Sequence, residues 1–300
     1  MLKDICSIII SFNPEISRLK LQIDRLLTQV DLIIVVDNNS SNFYHIHNQL
    51  SQIEGLILIK NNSNIGLGAA QNKGIQEAIK LECSHILLLD DDSLIDNDFV
   101  SNLLSAKQKL DQNEEKIGAI GPIYFNNETG EQYPITKYVG PFIKRKKPVN
   151  TPVEASFLIA SGCLIPVKVL KDVGMMNEDL FIDYIDVEWS FRARNKGYKL
   201  YATPNATMNH IIGERRLNIF GRKVSYHSSL RKYYLFRNSI YMIKCPYISV
   251  GYKIREIVFN TLRFVIHLYY SNNKKTFIKY SLRGLYDGLK GKMGECKYKL

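Results

Sequence analysis

Three adjacent carboxylates, Asp90-Asp91-Asp92, are the sharpest chemical feature of this 300-residue sequence, and a second acidic group, Asp183, Asp186 and Glu188, follows further along. Carboxylates packed side by side in a partly dehydrated cleft repel one another, and a divalent cation is the common relief. Residues i and i+2 of an extended segment point the same way, so Asp90 and Asp92 can address one site while Asp91 points elsewhere. Oxygen-only ligation suits Mg²⁺ or Mn²⁺, and Mg²⁺ usually binds through one or two carboxylates together with substrate phosphates. A bound di- or triphosphate follows. The second group supplies a different tool, since a carboxylate away from the cation can act as a general base. Within it, Glu188 stands four residues before Arg192 and reads as a helix-surface ion pair.

These residues need elements to hold them. Ile5 to Ser11 is a continuous β-branched run, as expected for a strand covered on both faces. Leu19, Ile23, Leu26, Leu27 and Val30 then fall at helix spacing, followed by the runs Leu32 to Val36 and Leu56 to Ile59, a helical stretch from Gly68 to Leu81, and the run His85 to Leu89. Strands alternating with helices predict an α/β fold with a mostly parallel sheet and right-handed crossovers. Ligands of such sheets lie beyond the carboxyl ends of the strands. The four ends here read Ser11-Phe12-Asn13-Pro14, Asp37-Asn38-Asn39-Ser40, Asn61 to Gly68, and Asp90-Asp91-Asp92-Ser93. Any one of these is more often a turn or a helix cap. Four in succession, one of them a carboxylate triplet, describe a site.

The segment Gly66-Leu67-Gly68-Ala69-Ala70-Gln71 approaches a dinucleotide fingerprint, but Gln71 replaces its third glycine and the segment follows the third strand. Five scattered cysteines without a C-x-x-C pair support neither a disulfide framework nor a zinc knuckle, and the start of the chain lacks the pattern of a signal peptide. Cys163 has no histidine near it in sequence and reads as packing. The net charge of +11 is uneven: residues 1–230 hold 25 Lys and Arg against 26 Asp and Glu, whereas residues 231–300 hold 15 against 3. Such a tail points to an anionic surface, and no nucleic-acid-binding motif accompanies it.

The ordered set Ser11-Phe12-Asn13-Pro14, Val36-Asp37-Asn38-Asn39-Ser40, Asn64 to Gly74, Leu89-Asp90-Asp91-Asp92-Ser93, Ser161-Gly162-Cys163, Phe181 to Arg192, Gly197-Tyr198 and Pro204 to His210 resembles the inverting, metal-dependent glycosyltransferases of the GT-A fold. Within them it is most similar to bacterial polysaccharide rhamnosyltransferases. The resemblance implies a Rossmann-like GT-A domain over 1–230, with the basic helical region 231–300 appended. It implies that Ser11, Asn13, Asp37, Asn64, Gly66, Asp90 and Asp91 line the nucleotide-sugar, Asp37 reading the pyrimidine base. Asp92 and Asp90 would meet Mn²⁺ or Mg²⁺, and His210 the metal or the diphosphate; Ser161 and Gly162 would border the acceptor, with Trp189 either core or the wall of the acceptor cleft. Ile185 stands where the first acid of the family's pair would be, so Asp186, aligned with the second, is the general base, with Asp183 as the second candidate.

The expected reaction moves L-rhamnose from dTDP-L-rhamnose to a lipid-linked saccharide on the cytoplasmic face of the cell membrane. UDP-sugar transfer, as by galactofuranosyl- or glucosyltransferases, is the alternative, and a catalytically inactive nucleotide-binding scaffold is the alternative of another class. The tail's apolar stretches, Ile257 to Phe259 and Phe264 to Ile266 among them, are interrupted by Asn260, Arg263 and His267, which predicts interfacial helices and no membrane span. The oligomeric state is left open by the sequence, a homodimer included.

Overall fold

Four parallel strands open the fold: β1 (Ile5–Ser11), β2 (Leu32–Asp37), β3 (Leu56–Lys60) and β4 (His85–Asp90), joined through helices α1 (Ile16–Leu26), α2 (Phe43–Leu50) and α3 (Leu67–Lys80). The computed structural model describes residues 4–113, 116–126, 129–209, 215–219, 222–226, 228–271 and 273–298. The chain continues through β5 (Leu94–Ile95), α4 (Phe99–Asp111), β6 (Ile117–Phe125), the hairpin β7 (Ile135–Val139) and β8 (Phe142–Lys146), β9 (Val153–Ala155), β10 (Cys163–Pro166), α5 (Val167–Val173), α6 (Ile185–Asn195) and β11 (Lys199–Asn209). A second hairpin, β12 (Arg215–Ile219) and β13 (Arg222–Tyr226), precedes three helices: α7 (Ser229–Lys244), α8 (Val250–Tyr270) and α9 (Lys274–Lys290).

The central sheet runs β3-β2-β1-β4-β10-β6-β11-β5, with β9 beside β11. Strands β1 to β4, β6 and β11 share one direction, whereas β5, β9 and β10 oppose them, so the sheet is mixed and mostly parallel. The continuous apolar runs are explained by cover on both faces. Ile8, Ile34 and Leu88 point to one layer with α3, and Ile9, Ile33 and Leu89 to the other with α1 and α4. Register sets Ser11 beside Asp37, Asp37 beside Lys60, and Ile10 beside Asp90, so the polar strand ends share one edge. Helix α1 ends at Leu26, and Val30 therefore lies beyond it despite its spacing.

The repeating βα pattern stops at β4. There β10 enters antiparallel between β4 and β6, which carries Ser161 and Gly162 to the same edge as the Asp90 loop. Helices α7 and α9 pack closely, Gly284 and Gly288 lying against the α7 backbone at Tyr233 and Arg237. Through α7 this basic region is fastened to the turn before α6, as described next.

Candidate active site

The ends of β1, β2 and β3 carry a ladder of short polar side chains. Buried Asp37 accepts from Ser11 Oγ at 3.2 Å and from the Ser40 N–H at 2.9 Å, so both its oxygens are engaged in holding the first two loops together. Ser40 Oγ takes the Asn13 N–H at 2.8 Å, and Asn13 Oδ1 accepts from Ser41. Asn38 donates to Asn64 Oδ1 at 3.0 Å while its own oxygen accepts from Asn61 and the Ile65 N–H. Lys73 closes the ladder on Asn61 Oδ1 at 2.6 Å. Satisfied networks of this kind pre-form a loop surface at low conformational cost.

Gly66 packs directly on Phe181, in the turn before α6. Its φ of +87° is accessible to glycine, and a Cβ there would lie 2.7 Å from the Phe181 ring and 2.8 Å from its carbonyl oxygen. The Leu67 N–H donates to that same carbonyl at 2.6 Å. The glycine segment therefore seats α3 against the turn that carries the second acidic group.

Of the triplet, Asp91 accepts the Phe12 N–H at 3.0 Å and ties the β4 loop to the β1 loop, whereas Asp92 is exposed and Asp90 half-buried. Burial, then the neighbouring Asp92 and Asp91 carboxylates and Asp186 beyond them, push Asp90 up to about 7; burial pushes Asp91 up to about 6. Carboxylates crowded in this way fit a divalent cation, which would return them to their charged form. Among the described residues no group of three or more His, Cys, Asp and Glu side chains could hold a metal by itself. Asp90 and Asp92 would thus need phosphate oxygens or water to complete a shell, which is how Mg²⁺ usually binds. His210 lies outside the described residues.

Opposite the triplet, the chain turns sharply before α6. Phe181, Asp183 and Tyr184 have φ of 63°, 64° and 67°, a costly run for residues with side chains. The turn is held from outside by α7: Asn238 Nδ2 lies within 2.9, 2.8 and 3.0 Å of the carbonyls of Leu180, Ile182 and Asp183. Arg237 donates to Leu180 O at 2.8 Å and to Asp179 O at 3.2 Å. The acids then separate by partner. Asp183 is gripped by Arg231, with contacts of 3.0 to 3.3 Å. Glu188 pairs with Arg192, at 2.9 and 3.0 Å, as their spacing predicts, but it is buried instead of lying on the helix surface, with Tyr247 on its other side. Asp186 accepts backbone N–H groups from Val187, at 2.8 Å, and Ala160, yet burial outweighs them and, with Asp183 nearby, lifts it to about 6. It is a carboxylate poised to accept a proton near neutral pH.

Ser161 and Gly162 form the seam between these halves. Ser161 Oγ accepts the Asp90 N–H at 3.2 Å and meets Ser93 Oγ at 2.6 Å, Tyr124 donates to its carbonyl at 2.7 Å, and the Gly162 N–H bonds Leu88 O at 2.7 Å. Both are buried and position the Asp90 loop. Of the two readings of Trp189, core and cleft wall, the structure favours core: it is 3% exposed and its Nε1 donates to Gly174 O at 2.9 Å. Its large apolar surface and its satisfied N–H place it behind the site. Burial raises the Cys163 thiol far above its usual range, in keeping with packing.

Sequence reasoning placed Asn38 and Lys73 only within motifs, without a role of their own, and overlooked Arg231, Arg237 and Asn238. The adjacent polar pair Arg237-Asn238, set between the apolar runs Tyr233 to Phe236 and Ile240 to Ile243, was the available signal; the Arg231–Asp183 pair spans 48 residues and left none.

The sequence matches the family described as "Glycosyl transferase family 2" over residues 7–174. It is 31% identical over 301 residues to the dTDP-rhamnosyl transferase RfbF of Shigella flexneri, covering 99% of each chain. Among solved structures, S. aureus TarS 1–349 in complex with UDP-GlcNAc superposes with a TM-score of 0.57 at 15% identity, covering 96% of this chain and 81% of that one. GalNAc-T7 with UDP, GalNAc and Mn²⁺ gives 0.56 at 15% identity, covering 96% of this chain and 56% of that one. At such identity these two likenesses concern the fold, which is GT-A.

Proposed function

The chain belongs to glycosyl transferase family 2, and from that premise we propose that it transfers L-rhamnose, with inversion, from dTDP-L-rhamnose to a saccharide acceptor of cell-surface polysaccharide. The end-to-end likeness to a dTDP-rhamnosyl transferase carries the choice of sugar. The thymine base and ribose rest against the loops ordered by Asp37, Asn13 and Asn64. Mn²⁺ or Mg²⁺, held by Asp92 and Asp90, would compensate the charge of the departing dTDP. Asp91 fixes the height of that loop against Phe12.

Asp186 takes the proton from the acceptor hydroxyl as that oxygen attacks the anomeric carbon from the face opposite the diphosphate, so the centre inverts. Its lifted pKa leaves it charged at neutral pH and basic enough to accept. Asp183, neutralised by Arg231, orients the turn instead of acting as the base. Arg231 also lowers the pKa of Asp90, so its positive charge reaches the diphosphate side. The acceptor is lipid-linked and the enzyme works as a peripheral protein at the inner face of the cell membrane; the basic helices support this reading, and among the described residues no helix is long and apolar enough to cross a membrane.

The test is a donor screen. dTDP-L-rhamnose with Mn²⁺ should raise the melting temperature and be consumed when acceptor is added, and UDP-GlcNAc or UDP-glucose should do neither. Consumption of a UDP-sugar in preference to the dTDP-sugar would overturn the assignment.

A further inference from the structure

Helix α8 is built inside out. Its inward positions, Tyr252, Glu256, Asn260 and His267, are buried, Glu256 at 2% exposure and His267 at 3%. Its outward positions are Ile254, Ile257, Val258, Leu262, Val265 and Tyr269, exposed by 53, 54, 51, 50, 59 and 74%. A helix against a core in water arranges these the other way round. The inward polar residues are occupied: Glu256 binds Tyr184 and Arg263, and Asn260 donates to Ser239 Oγ at 2.6 Å. The inversion is therefore set by this fold. The apolar stripe runs on into a groove of about 350 Å³ between α7, α8 and α9, lined by Ile257, Phe264 and Leu282 among others.

The patch extends onto the β7–β8 hairpin. Gly251 packs on the backbone of Gly140 and Pro141, and Phe142 at the hairpin tip is 74% exposed. Around this apolar surface the charge has one sign. Lys144, Arg145, Lys146 and Lys147 are exposed on one flank and Lys274, Lys275 and Lys279 on α9. Of the three carboxylates in residues 231–300, Glu256 and Asp287 are buried in ion pairs, which leaves Glu295.

The structure assigns the outer face of α8, with the hairpin tip beside it, to the surface of an anionic lipid bilayer, into which the stripe inserts while the basic rim meets the headgroups. An apolar stripe flanked by cations is complementary to such a surface. A second copy of the chain would instead bring one basic rim against another. This deepens the membrane reading above and rests on it, and it adds orientation. Tyr184, two residues before Asp186, is bonded to the inner face of α8, so the catalytic turn stands about one helix diameter, ~10–12 Å, from the bilayer. A lipid-linked acceptor would present its sugar at that height.

The experiment is co-sedimentation of the full chain, without donor, with vesicles of phosphatidylglycerol and phosphatidylcholine or of phosphatidylcholine alone. The native protein should bind the anionic vesicles, and the triple variant Ile254→Glu, Leu262→Glu, Val265→Glu should bind at least tenfold more weakly while keeping its melting temperature and its donor affinity. Hydrogen exchange of the native chain gives a readout free of mutation: anionic vesicles should protect residues 250–270 and 139–146. Equal binding of variant and native protein, equal binding to neutral vesicles, or no protection at those residues would overturn the assignment. So would a native dimer that the variant dissociates while vesicles are left unbound. Anionic vesicles that bind native and variant protein equally leave the membrane reading standing and overturn only this choice of face, whereas vesicles that bind neither overturn both.

Discussion

The two acidic groups that face one another are held by opposite means. The Asp90 triplet follows a core strand, and its carboxylates are crowded with one another, which raises Asp90 and Asp91 together. In the second group each acid is sorted by a partner: Asp183 to Arg231, Glu188 to Arg192 and Tyr247, and Asp186 to backbone N–H groups. Crowding suits a site that awaits a cation, and sorting suits a site that must keep one base distinct. The turn before Asp186 is also strained, and α7 supplies the restraint.

The comparison breaks most sharply at Asp186. Asp186→Asn should lower turnover by roughly two to four orders of magnitude and leave metal-dependent donor affinity near normal. Single-turnover kinetics and donor calorimetry separate the two effects. Full activity in this variant with a dead Asp183→Asn would move the base to the arginine-bound acid. Asp92→Asn should show the reverse pattern, weakening donor binding in Mn²⁺ by at least the roughly 10–100-fold that even indirect changes at metal sites cost. EDTA should reproduce that loss in the native protein and add nothing to the variant.

Asn238→Ala tests whether the second group depends on outside support. The carbonyls of Ile182 and Asp183 would lose this donor, at about 1–3 kcal/mol for each one left dry, while Leu180 O keeps Arg237. The melting temperature should fall by several degrees, and kcat should drop about tenfold with little change in donor affinity, since no donor contact is touched. A fall in stability with kcat intact would make Asn238 a packing residue only.

Much of the first group was legible in the sequence, because strand ends in an α/β sheet announce themselves by composition and order. Asp37, Asn64, Asp90 and Asp92 all arrive at one edge for that reason. The direction of β10 was not legible, since a short apolar run reads alike in either sense. Nor was the clamp on residues 180–183, because it joins positions more than fifty residues apart through backbone carbonyls, which no side-chain pattern records. The type of Trp189 left it between core and cleft wall, and a hydrogen bond to Gly174 decided its place. Helix α8 misled in another way: Asn260, Arg263 and His267 looked like interruptions of an apolar helix, and they are its inward face.

The finest distinction between the groups is their response to pH and metal. Asp186 works only when deprotonated, so activity should fall as the pH drops through its raised pKa, and kcat/KM should show an acid limb near 6 instead of near 4. Asp90 also has a raised pKa, and for such a carboxylate the folded state holds its proton more tightly than the unfolded chain does. Stability from that proton is complete below the ordinary carboxylate range and is lost as pH rises to about 7. Metal-free protein should therefore melt lower at pH 8 than at pH 5, Mn²⁺ should restore more of the melting temperature at pH 8, and Asp90→Asn should flatten the dependence. Because the neighbours of Asp186 are fixed by the protein itself, saturating Mn²⁺ should move the acid limb of the rate by less than about one unit while removing most of the pH dependence of melting. An acid limb that tracked metal concentration would mean that the two groups titrate as one, and the division of labour between them would have to be redrawn.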